Sequence, residues 1–231
     1  GLIGHLIETA LLNEMGQADG LIVSVVTHVE VDPRDPAFEN PTKPIGPFYS
    51  LEQAQERSAR TGQPIIEDAG RGYRIVVASP RPLRVLEREA ISTLVDKGFL
   101  VIAGGGGGVP VIDDNGTIRG VEAVIDKDRA AALLATELKA DALVLVTGVD
   151  SVLLDFGKPT QRELTVVAAD EMRLHAQAGQ FPPGSMGPKV EAALDFVDAG
   201  GDVAVITSAN LMSASLDSLS GPGTHIVRSI G

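Results

Sequence analysis

Five consecutive glycines, Gly104 to Gly108, are the residues of this chain whose types and spacing most clearly suggest chemistry. They follow Val101, Ile102 and Ala103, a short apolar run that is typical of the end of a fully buried strand. Residues without Cβ atoms let the backbone approach a ligand closely and point successive N–H groups at it. The run therefore predicts an anion-binding loop, with a flexible linker as the alternative interpretation.

The glycine run differs from two common phosphate-binding motifs. No Gly-Lys-Ser or Gly-Lys-Thr follows it, and Val109 stands where GxGxxG requires its third glycine. Two apolar runs around Asn115-Gly116 then predict a hairpin over 111–124 rather than a helix. A helix N-terminus that binds phosphate must therefore come from another part of the chain.

Lys127 is predicted in the first turn of a helix that begins after Asp126, its expected N-cap, and runs to about residue 138. A lysine at this end opposes the helix dipole, at a cost of about 0.3–1 kcal/mol. Such local conflicts tend to mark functional sites. Lys127 is therefore a candidate for a small positive pocket, with Asp128 orienting its lysines.

Lys189 repeats this conflict in a second predicted helix, which Ser185 or Gly187 caps and in which Pro188 takes the first position. Solubility does not explain two such lysines in one acidic chain. Their placement suits a highly charged phosphate ligand.

Prolines at positions 33, 36, 41, 44 and 47 predict a long, stiff, ordered loop over 32–47, with neither a helix nor a central strand. Lys43 lies within it, so its ammonium group is expected at a fixed place, although a plain solvated lysine is the alternative. A short helix over 51–60 and a hairpin over 65–78 follow. Residues 32–80 together are predicted to form a lid or small inserted subdomain.

The remaining segments alternate between predicted strands and helices, which indicates an α/β fold. Strands are expected at 21–31, 99–103, 143–147 and 203–207, with an edge-like strand at 224–228. Helices are expected at 1–15, 83–97 and 165–178 besides the two with lysines. Ligands of open α/β sheets bind at the carboxyl ends of strands, which directs attention to Thr147 and to a loop expected over 153–159, where Phe156 could cover a base.

Composition limits the function further. The 231 residues include 44% hydrophobic residues, no cysteine and 31 acids against 19 bases, which gives a net charge of −12. The chain can form one large domain or two small ones. Its negative charge argues against nucleic acid and anionic membranes as partners, and the absence of cysteine excludes thiol catalysis. A cytoplasmic protein is expected.

Several long segments, in order along the chain, resemble the carbamate kinases of the amino-acid kinase superfamily. They are NPTKPIGPFY (40–49), EDAGRGYRIVVASPRP (67–82), AGGGGGVPV (103–111), GVEAVIDKD (120–128) and QFPPGSMGPKVEAA (180–193). The PTKPIG segment separates carbamate kinases from acetylglutamate, aspartate and uridylate kinases. The resemblance covers essentially the whole chain.

This resemblance implies a three-layer αβα sandwich on a mainly parallel central sheet, in one domain over 1–231 with the inserted lid. It implies a homodimer that transfers a phosphoryl group reversibly between ATP and carbamate with Mg²⁺, giving ADP and carbamoyl phosphate. Many members of the family run this reaction toward ATP.

The resemblance also assigns roles by position. Lys189 and Lys127 would stabilise the transferring phosphoryl group, Asp128 would organise them, and Lys43 would reach in from the lid. Gly105 and Gly106, with Lys43, would bind carbamate or phosphate, and no protein side chain is assigned to the metal. The nucleotide site would comprise Thr147, Gly148, Val149, Asp150, Val152, Leu153, Phe156, Met186, Gly187, Pro188 and Lys189.

The sequence departs from the family at its start. The family begins with a strand and a Gly-Gly-Asn turn, followed by an HGNGPQVG segment, and neither occurs in this sequence, so residues are expected to be missing before Gly1. Two alternatives to a carbamate kinase stay open. One is a sibling kinase acting on another carboxylate or carbamate, and the other is a non-catalytic homologue that binds ligands.

Overall fold

The computed structural model describes residues 1–15, 21–68, 70–182 and 184–230. The chain divides into two compact units, unit 1 (Gly1–Lys127) and unit 2 (Asp128–Gly231). Helices and strands occur in both units, which confirms the α/β class. The single domain with an inserted lid at 32–80 stays a prediction.

Unit 1 contains three α-helices and nine strands among its described residues, together with a 3-10 turn at Pro36–Phe38. The helices are α1 (Leu2–Glu14), α2 (Leu51–Thr61) and α3 (Arg88–Asp96). The strands are β1 (Ile22–Ser24), β2 (His28–Val31), β3 (Lys43–Tyr49), β4 (Ile65–Glu67), β5 (Tyr73–Val77), β6 (Pro82–Val85), β7 (Leu100–Ile102), β8 (Val109–Asp114) and β9 (Thr117–Gly120).

These strands form three sheets. β1 pairs with β7 in parallel, and a four-stranded sheet has the order β6-β2-β8-β9, in which β2 and β8 are parallel. The third sheet has the order β3-β5-β4 and is antiparallel, with α2 packed on it. The predicted hairpins at 65–78 and 111–124 are confirmed as β4–β5 and β8–β9.

The predicted single strand over 21–31 is wrong, because residues 25–27 interrupt it and its two halves join different sheets. Full burial of the strand before the glycines is also wrong. Leu100 is 42% exposed and the side chains of Val101 and Ile102 are half-buried. The reason is that β7 pairs only with β1 among the described strands, so its outer edge stays uncovered.

The proline-rich segment ends in a strand and not in a loop. β3 begins at Lys43 and includes Pro44 and Pro47, which a sheet tolerates because β3 lies at the edge of its three-stranded sheet. The helix predicted over 83–97 begins only at Arg88, because residues 82–85 pair with β2 as β6. Predicted α1 and α2 are confirmed within one or two residues.

Unit 2 is built on a four-stranded sheet of order β10-β14-β15-β13 and a two-stranded sheet of β11 and β12. The strands are β10 (Ala142–Thr147), β11 (Val152–Leu154), β12 (Arg162–Leu164), β13 (Val166–Ala168), β14 (Val203–Ser208) and β15 (Thr224–Val227). The helices are α4 (Lys127–Glu137), which begins at the last residue of unit 1, α5 (Ala169–Gln177), α6 (Met186–Asp198) and α7 (Met212–Leu216).

The core of unit 2 lies where α6 packs on the sheet. Val190, Ala193 and Phe196 of α6 are almost completely buried together with Ile206 and Ile226 of the strands. Burial of this apolar face fixes α6, and with it Lys189, which lies in the first turns of the same helix.

Four predictions in unit 2 are wrong. The helix expected over 165–178 begins at Ala169, because 166–168 form β13, and the loop expected at 153–159 begins inside β11. β15 is a buried inner strand and not an edge strand, since β14 and β13 pair with its two sides. Pro188 is the third residue of α6, which Ser185 precedes as N-cap.

Within the described parts of both units, no helix combines the length and the apolar character that crossing a membrane requires.

Candidate active site

The glycine run of unit 1 is a loop between two matched strand pairs. Ser24 lies opposite Ile102 in the β1–β7 pair, and His28 lies opposite Val109 in the β2–β8 pair. Three residues separate Ser24 from His28, whereas six separate Ile102 from Val109. The second segment therefore has three more residues to place between the same two sheets, and it forms the loop 104–108.

The loop backbone takes conformations that favour glycine. Gly104, Gly105, Gly107 and Gly108 all have positive φ angles, and the N–H of Gly107 donates to the carbonyl of Gly104 at 2.7 Å. A Cβ at Gly107 would collide with the carbonyl oxygen of Ile125. The second half of the loop is therefore packed so closely that no side chain fits.

The first half of the loop is open. A Cβ added at Gly104, Gly105 or Gly106 would meet no atom within 4 Å. Among the residues that the structure describes, none accepts a hydrogen bond from the N–H of Gly105 or Gly106. Open space beside free backbone donors is what binding of an anion requires.

Lys43 lies in the same unit and forms an ion pair. Its Nζ donates to Asp126 Oδ2 at 2.6 Å, and Asp126 is 8% exposed while the side chain of Lys43 is about one-third exposed. Asp126 directly follows Ile125, whose carbonyl contacts the glycine loop. The nearly buried carboxylate thus fixes the direction of a lysine that enters from the edge strand β3.

Lys127 is exposed and is the first residue of α4, as predicted. The dipole of α4 therefore has a positive side chain at its positive end, which adds to the local positive potential instead of balancing it.

Unit 2 contains a second lysine–aspartate pair. Lys189 Nζ donates to Asp128 Oδ2 at 2.9 Å, and each residue is only 8% exposed. Asp128 lies in the first turn of α4 and Lys189 in the first turns of α6. The structure thus brings Asp128 and Lys189, two of the predicted site residues, into contact, and the orienting role of Asp128 stays a prediction. Burial strengthens the pair's electrostatics, because the local dielectric is lower than that of water.

An open pocket of about 140 Å³ lies in unit 2 beside the start of α6. Its lining is mostly apolar, with three polar side chains, and consists of Val149, Ser151, Leu153, Phe156, Gln180, Phe181, Pro182, Ser185 and Met186. Phe156 is 69% exposed, so its ring is available to a ligand. Apolar walls with a few polar groups suit a nucleotide base.

A turn held by Asp155 shapes one wall of this pocket. The N–H of Asp155 donates to Gln180 Oε1 at 2.8 Å, and its carboxylate accepts from Lys158 and Thr160 at 3.0 Å each. The hydrogen bond from Lys158, followed by those from Thr160 and Gln180, lowers the pKa of Asp155 below its ordinary value of 3.8. The turn next to Phe156 is therefore stabilised by a charged carboxylate.

The predicted nucleotide-binding residues are not all placed alike. Val149, Leu153, Phe156 and Met186 line the pocket, whereas Val152 is fully buried in the core. The others lie at strand or helix ends outside the pocket lining: Thr147, Gly148, Asp150, Gly187, Pro188 and Lys189.

Sequence reasoning missed several residues of the candidate site. Asp126 was assigned only a capping role, although its place in the Asp-Lys-Asp segment was a usable signal. Ser151 lies between the predicted residues Asp150 and Val152, and Gln180 is the first residue of the segment 180–193 that carries the family resemblance. Among the described residues, no group of three His, Cys, Asp or Glu side chains is arranged to hold a metal ion.

The chain matches a known protein family and is similar in sequence to kinases. The sequence profile of the Amino acid kinase family matches residues 6–208. The chain is 48% identical to the carbamate kinase of Thermococcus kodakarensis, with 99% of this chain and 72% of that protein covered. It is also 48% identical to the carbamate kinase-like protein YahI of Escherichia coli, with the same coverage.

A solved structure agrees with these sequence relatives. The carbamate kinase of Giardia lamblia bound to AMP-PNP superposes with a TM-score of 0.87 at 41% identity, with 98% of this chain and 72% of that chain covered. The chain therefore belongs to the amino acid kinase family, whose fold it shares. Within that family, the relatives that share nearly half of its residues include carbamate kinases, and the chain groups with them.

Proposed function

We propose that this chain catalyses reversible phosphoryl transfer between ATP and carbamate, and that it can run the reaction toward ATP. In that direction the bond between phosphorus and the carbamate oxygen breaks, and a bond forms to a terminal phosphate oxygen of ADP. The relatives named carbamate kinase, at close to half identity over nearly the whole chain, carry this proposal.

The chemistry of the site suits this reaction. Phosphoryl transfer proceeds through a loose transition state whose charge is spread over the phosphoryl oxygens, so catalysis is mostly positioning and charge stabilisation. Lysines and backbone N–H groups supply both, and no nucleophilic side chain is needed.

We assign the carbamoyl phosphate to the unit 1 groups. The free N–H groups of Gly105 and Gly106 bind its oxygens, and Lys43, directed by Asp126, adds a positive charge. Lys127 contributes further charge from the start of α4. The support for these roles is the open side of the loop and the ion pair at 2.6 Å.

We assign the nucleotide to unit 2. The base occupies the apolar pocket beside Phe156 and Met186, and Lys189 stabilises the phosphoryl oxygens. Asp128 holds the lysine ammonium in place through its hydrogen bond, so little reorganisation is needed during the transfer. Of the relatives, the Giardia lamblia carbamate kinase is bound to AMP-PNP, an ATP-like nucleotide.

We propose that Mg²⁺ enters with the nucleotide. Mg²⁺ in kinases is commonly held by substrate phosphates, water and one or two carboxylates rather than by a protein cage. The ion supplies neutralisation of phosphate charge when bound.

The decisive experiment measures ATP formation from ADP and carbamoyl phosphate with Mg²⁺. The wild-type chain is compared with Lys189→Met and with Lys97→Met, an exposed lysine at the end of α3 that serves as matched control. We expect the first variant to lose activity by about 100-fold or more and the second to keep it. A folded wild-type chain that forms no ATP contradicts the proposal.

One alternative is a sibling kinase for another carboxylate, and the similarity to a protein named only carbamate kinase-like gives it a specific basis. Competition between carbamate and other small carboxylates for ATP consumption distinguishes the two. The second alternative is a non-catalytic homologue. In that case calorimetry should detect nucleotide binding, and none of these acceptors should be turned over.

We further propose that the chain acts in the cytoplasm as a homodimer, as the family resemblance implies. Light scattering coupled to size-exclusion chromatography tests the dimer: a mass near 48 kDa is expected, twice the 24.0 kDa of the chain. A monomeric mass at micromolar concentration contradicts it.

A further inference from the structure

We propose that Thr27 is a positioning residue for the glycine loop and thereby sets the affinity for the anionic substrate. This inference rests on the proposed function, because it takes the loop 104–108 as the place where carbamoyl phosphate binds.

Thr27 lies opposite the loop and binds both of its ends. The N–H of Gly104, at the start of the loop, donates to Thr27 Oγ1 at 2.9 Å. The N–H of Val109, directly after the loop, donates to the Thr27 carbonyl at 2.8 Å. One residue of the shorter segment, 25–27, thus binds both ends of the loop in the longer segment, 103–108.

The hydroxyl of Thr27 is itself oriented. It donates its proton to the carbonyl of Val25 at 3.1 Å, so its lone pairs are left to accept from Gly104. Thr27 is 5% exposed, and water competes little for these bonds. The hydroxyl therefore acts as a fixed acceptor and not as a rotating surface group.

Packing supports the same role at the other end. A Cβ at Gly108 would collide with the Val29 side chain and would lie 3.2 Å from the Thr27 carbonyl oxygen. The backbone of Gly108 therefore lies directly against the segment that contains Thr27. Only the stretch between these anchors remains free to present its N–H groups.

Positioning matters because glycine has more backbone freedom than any other residue. Without an acceptor for the N–H of Gly104, the loop can populate conformations in which Gly105 and Gly106 point away from the ligand. Substrate binding then selects a minor conformation, and the apparent affinity falls by the fraction populated. The turnover rate of bound substrate changes less.

Thr27→Val tests this, since it keeps the shape of the side chain and removes the acceptor. Thr27→Ser restores the hydroxyl, and Thr93→Val removes a hydroxyl of α3 that bonds only the preceding helical turn through Glu89. We expect Thr27→Val to raise the KM for carbamoyl phosphate roughly 3- to 10-fold, with the KM for ADP within about twofold of wild type. Thr27→Ser and Thr93→Val should resemble the wild type.

A second measurement does not depend on turnover. Amide hydrogen exchange should be faster at Gly104 in Thr27→Val than in Thr27→Ser. In an NMR titration with inorganic phosphate, the amide resonances of Gly105 and Gly106 should shift at a higher phosphate concentration in Thr27→Val than in Thr27→Ser. Should Thr27→Val fail to fold, Thr27→Ala removes the same hydroxyl and takes its place. These two readouts report on the loop even if the wild-type chain forms no ATP. Failure of the proposed function can therefore be distinguished from failure of the inference about Thr27.

Three results overturn the inference. The first is a KM for carbamoyl phosphate that stays within twofold in the variant without the hydroxyl. The second is equal impairment of Thr27→Ser and Thr27→Val. The third is a loss confined to kcat with both KM values unchanged, which is the behaviour of a residue that only supports folding.

Discussion

The ammonium group of Lys189 lies 2.9 Å from Asp128 Oδ2, and both residues are nearly excluded from solvent. Removal of Lys189 takes a charge partner away from the buried Asp128 carboxylate, and breaking a buried ion pair typically costs about 3–5 kcal/mol, whereas an apolar replacement of both residues is often neutral. We expect Lys189→Met to lower the free energy of unfolding more than Lys189→Met combined with Asp128→Leu.

Urea unfolding of the two single variants and the double variant measures this coupling. The activity readout is separate, because the double variant should be stable yet without phosphoryl transfer. Additive losses of stability in the double variant contradict a coupled pair.

For the Lys43–Asp126 pair in unit 1, we expect substitutions to change the KM for carbamoyl phosphate. Asp126→Asn keeps the shape of the acid but removes the charge that directs Lys43, so the KM for carbamoyl phosphate should rise by about tenfold. Lys43→Met should have a similar effect, and the double variant should be no worse than either single one. Steady-state kinetics at saturating ADP measures these KM values. If the increase in the double variant equals the product of the two single increases, Lys43 and Asp126 act independently and the prediction is contradicted.

Neighbouring glycines of the loop should respond to alanine in opposite ways. At Gly106 the φ angle is not positive and a Cβ meets no atom, so Gly106→Ala should leave stability within about 0.5 kcal/mol while it obstructs the ligand. Gly108→Ala collides with Val29 at a positive φ angle and should cost about 2 kcal/mol or more in stability. Thermal unfolding and the KM for carbamoyl phosphate separate these effects. Gly120→Ala, in equally open space, is the control.

Phe156 should contribute to nucleotide affinity and little to folding, because its ring is 69% exposed at the edge of the pocket. We expect Phe156→Ala to raise the KM for ADP about tenfold, since stacking of a base on an aromatic ring is worth roughly 1–3 kcal/mol. Leu174→Ala, at 65% exposure on α5, should change neither KM. Equal behaviour of the two variants removes Phe156 from the nucleotide site.

The turn at Asp155 should weaken in acid. Hydrogen bonds from Lys158, Thr160 and Gln180 lower the pKa of the folded-state carboxyl, so its stabilising contribution is present above the ordinary 3.8 and is lost as the pH falls through the lower folded-state value. The stability difference between the wild type and Asp155→Asn should therefore shrink as pH drops from about 5 to about 2.5. Lys158→Met should raise the pKa of Asp155 in a carboxyl NMR titration, and an unchanged pKa contradicts the assigned cause.

Much of the secondary structure and of the site could be predicted from local patterns. Asn115-Gly116 specified a hairpin because both residues readily adopt positive φ angles, and their φ values are 52° and 86°. The lysines at helix starts were predicted because they contradict the helix dipole. The glycine run also predicted a close approach of the backbone, and at Gly107 and Gly108 the structure leaves no room for a Cβ.

The remaining errors concern tertiary pairing. Nothing in Leu21–Val31 indicates that residues 25–27 leave one sheet and enter another, because each half is a good strand by itself. Burial of β15 depends on β13 and β14 lying on its two sides, which no pattern within its own four residues encodes. Asp126 was read only as a cap because its partner Lys43 is 83 positions away along the chain.

The unequal spans between the two strand pairs make the loop a replaceable module. Its three surplus residues lie outside both parallel ladders, so a change of length there leaves the pairing of Ser24 with Ile102 and of His28 with Val109 in register. A change of length in the open first half of the loop would therefore alter the space beside Gly105 and Gly106 without shifting the strand pairing of either sheet.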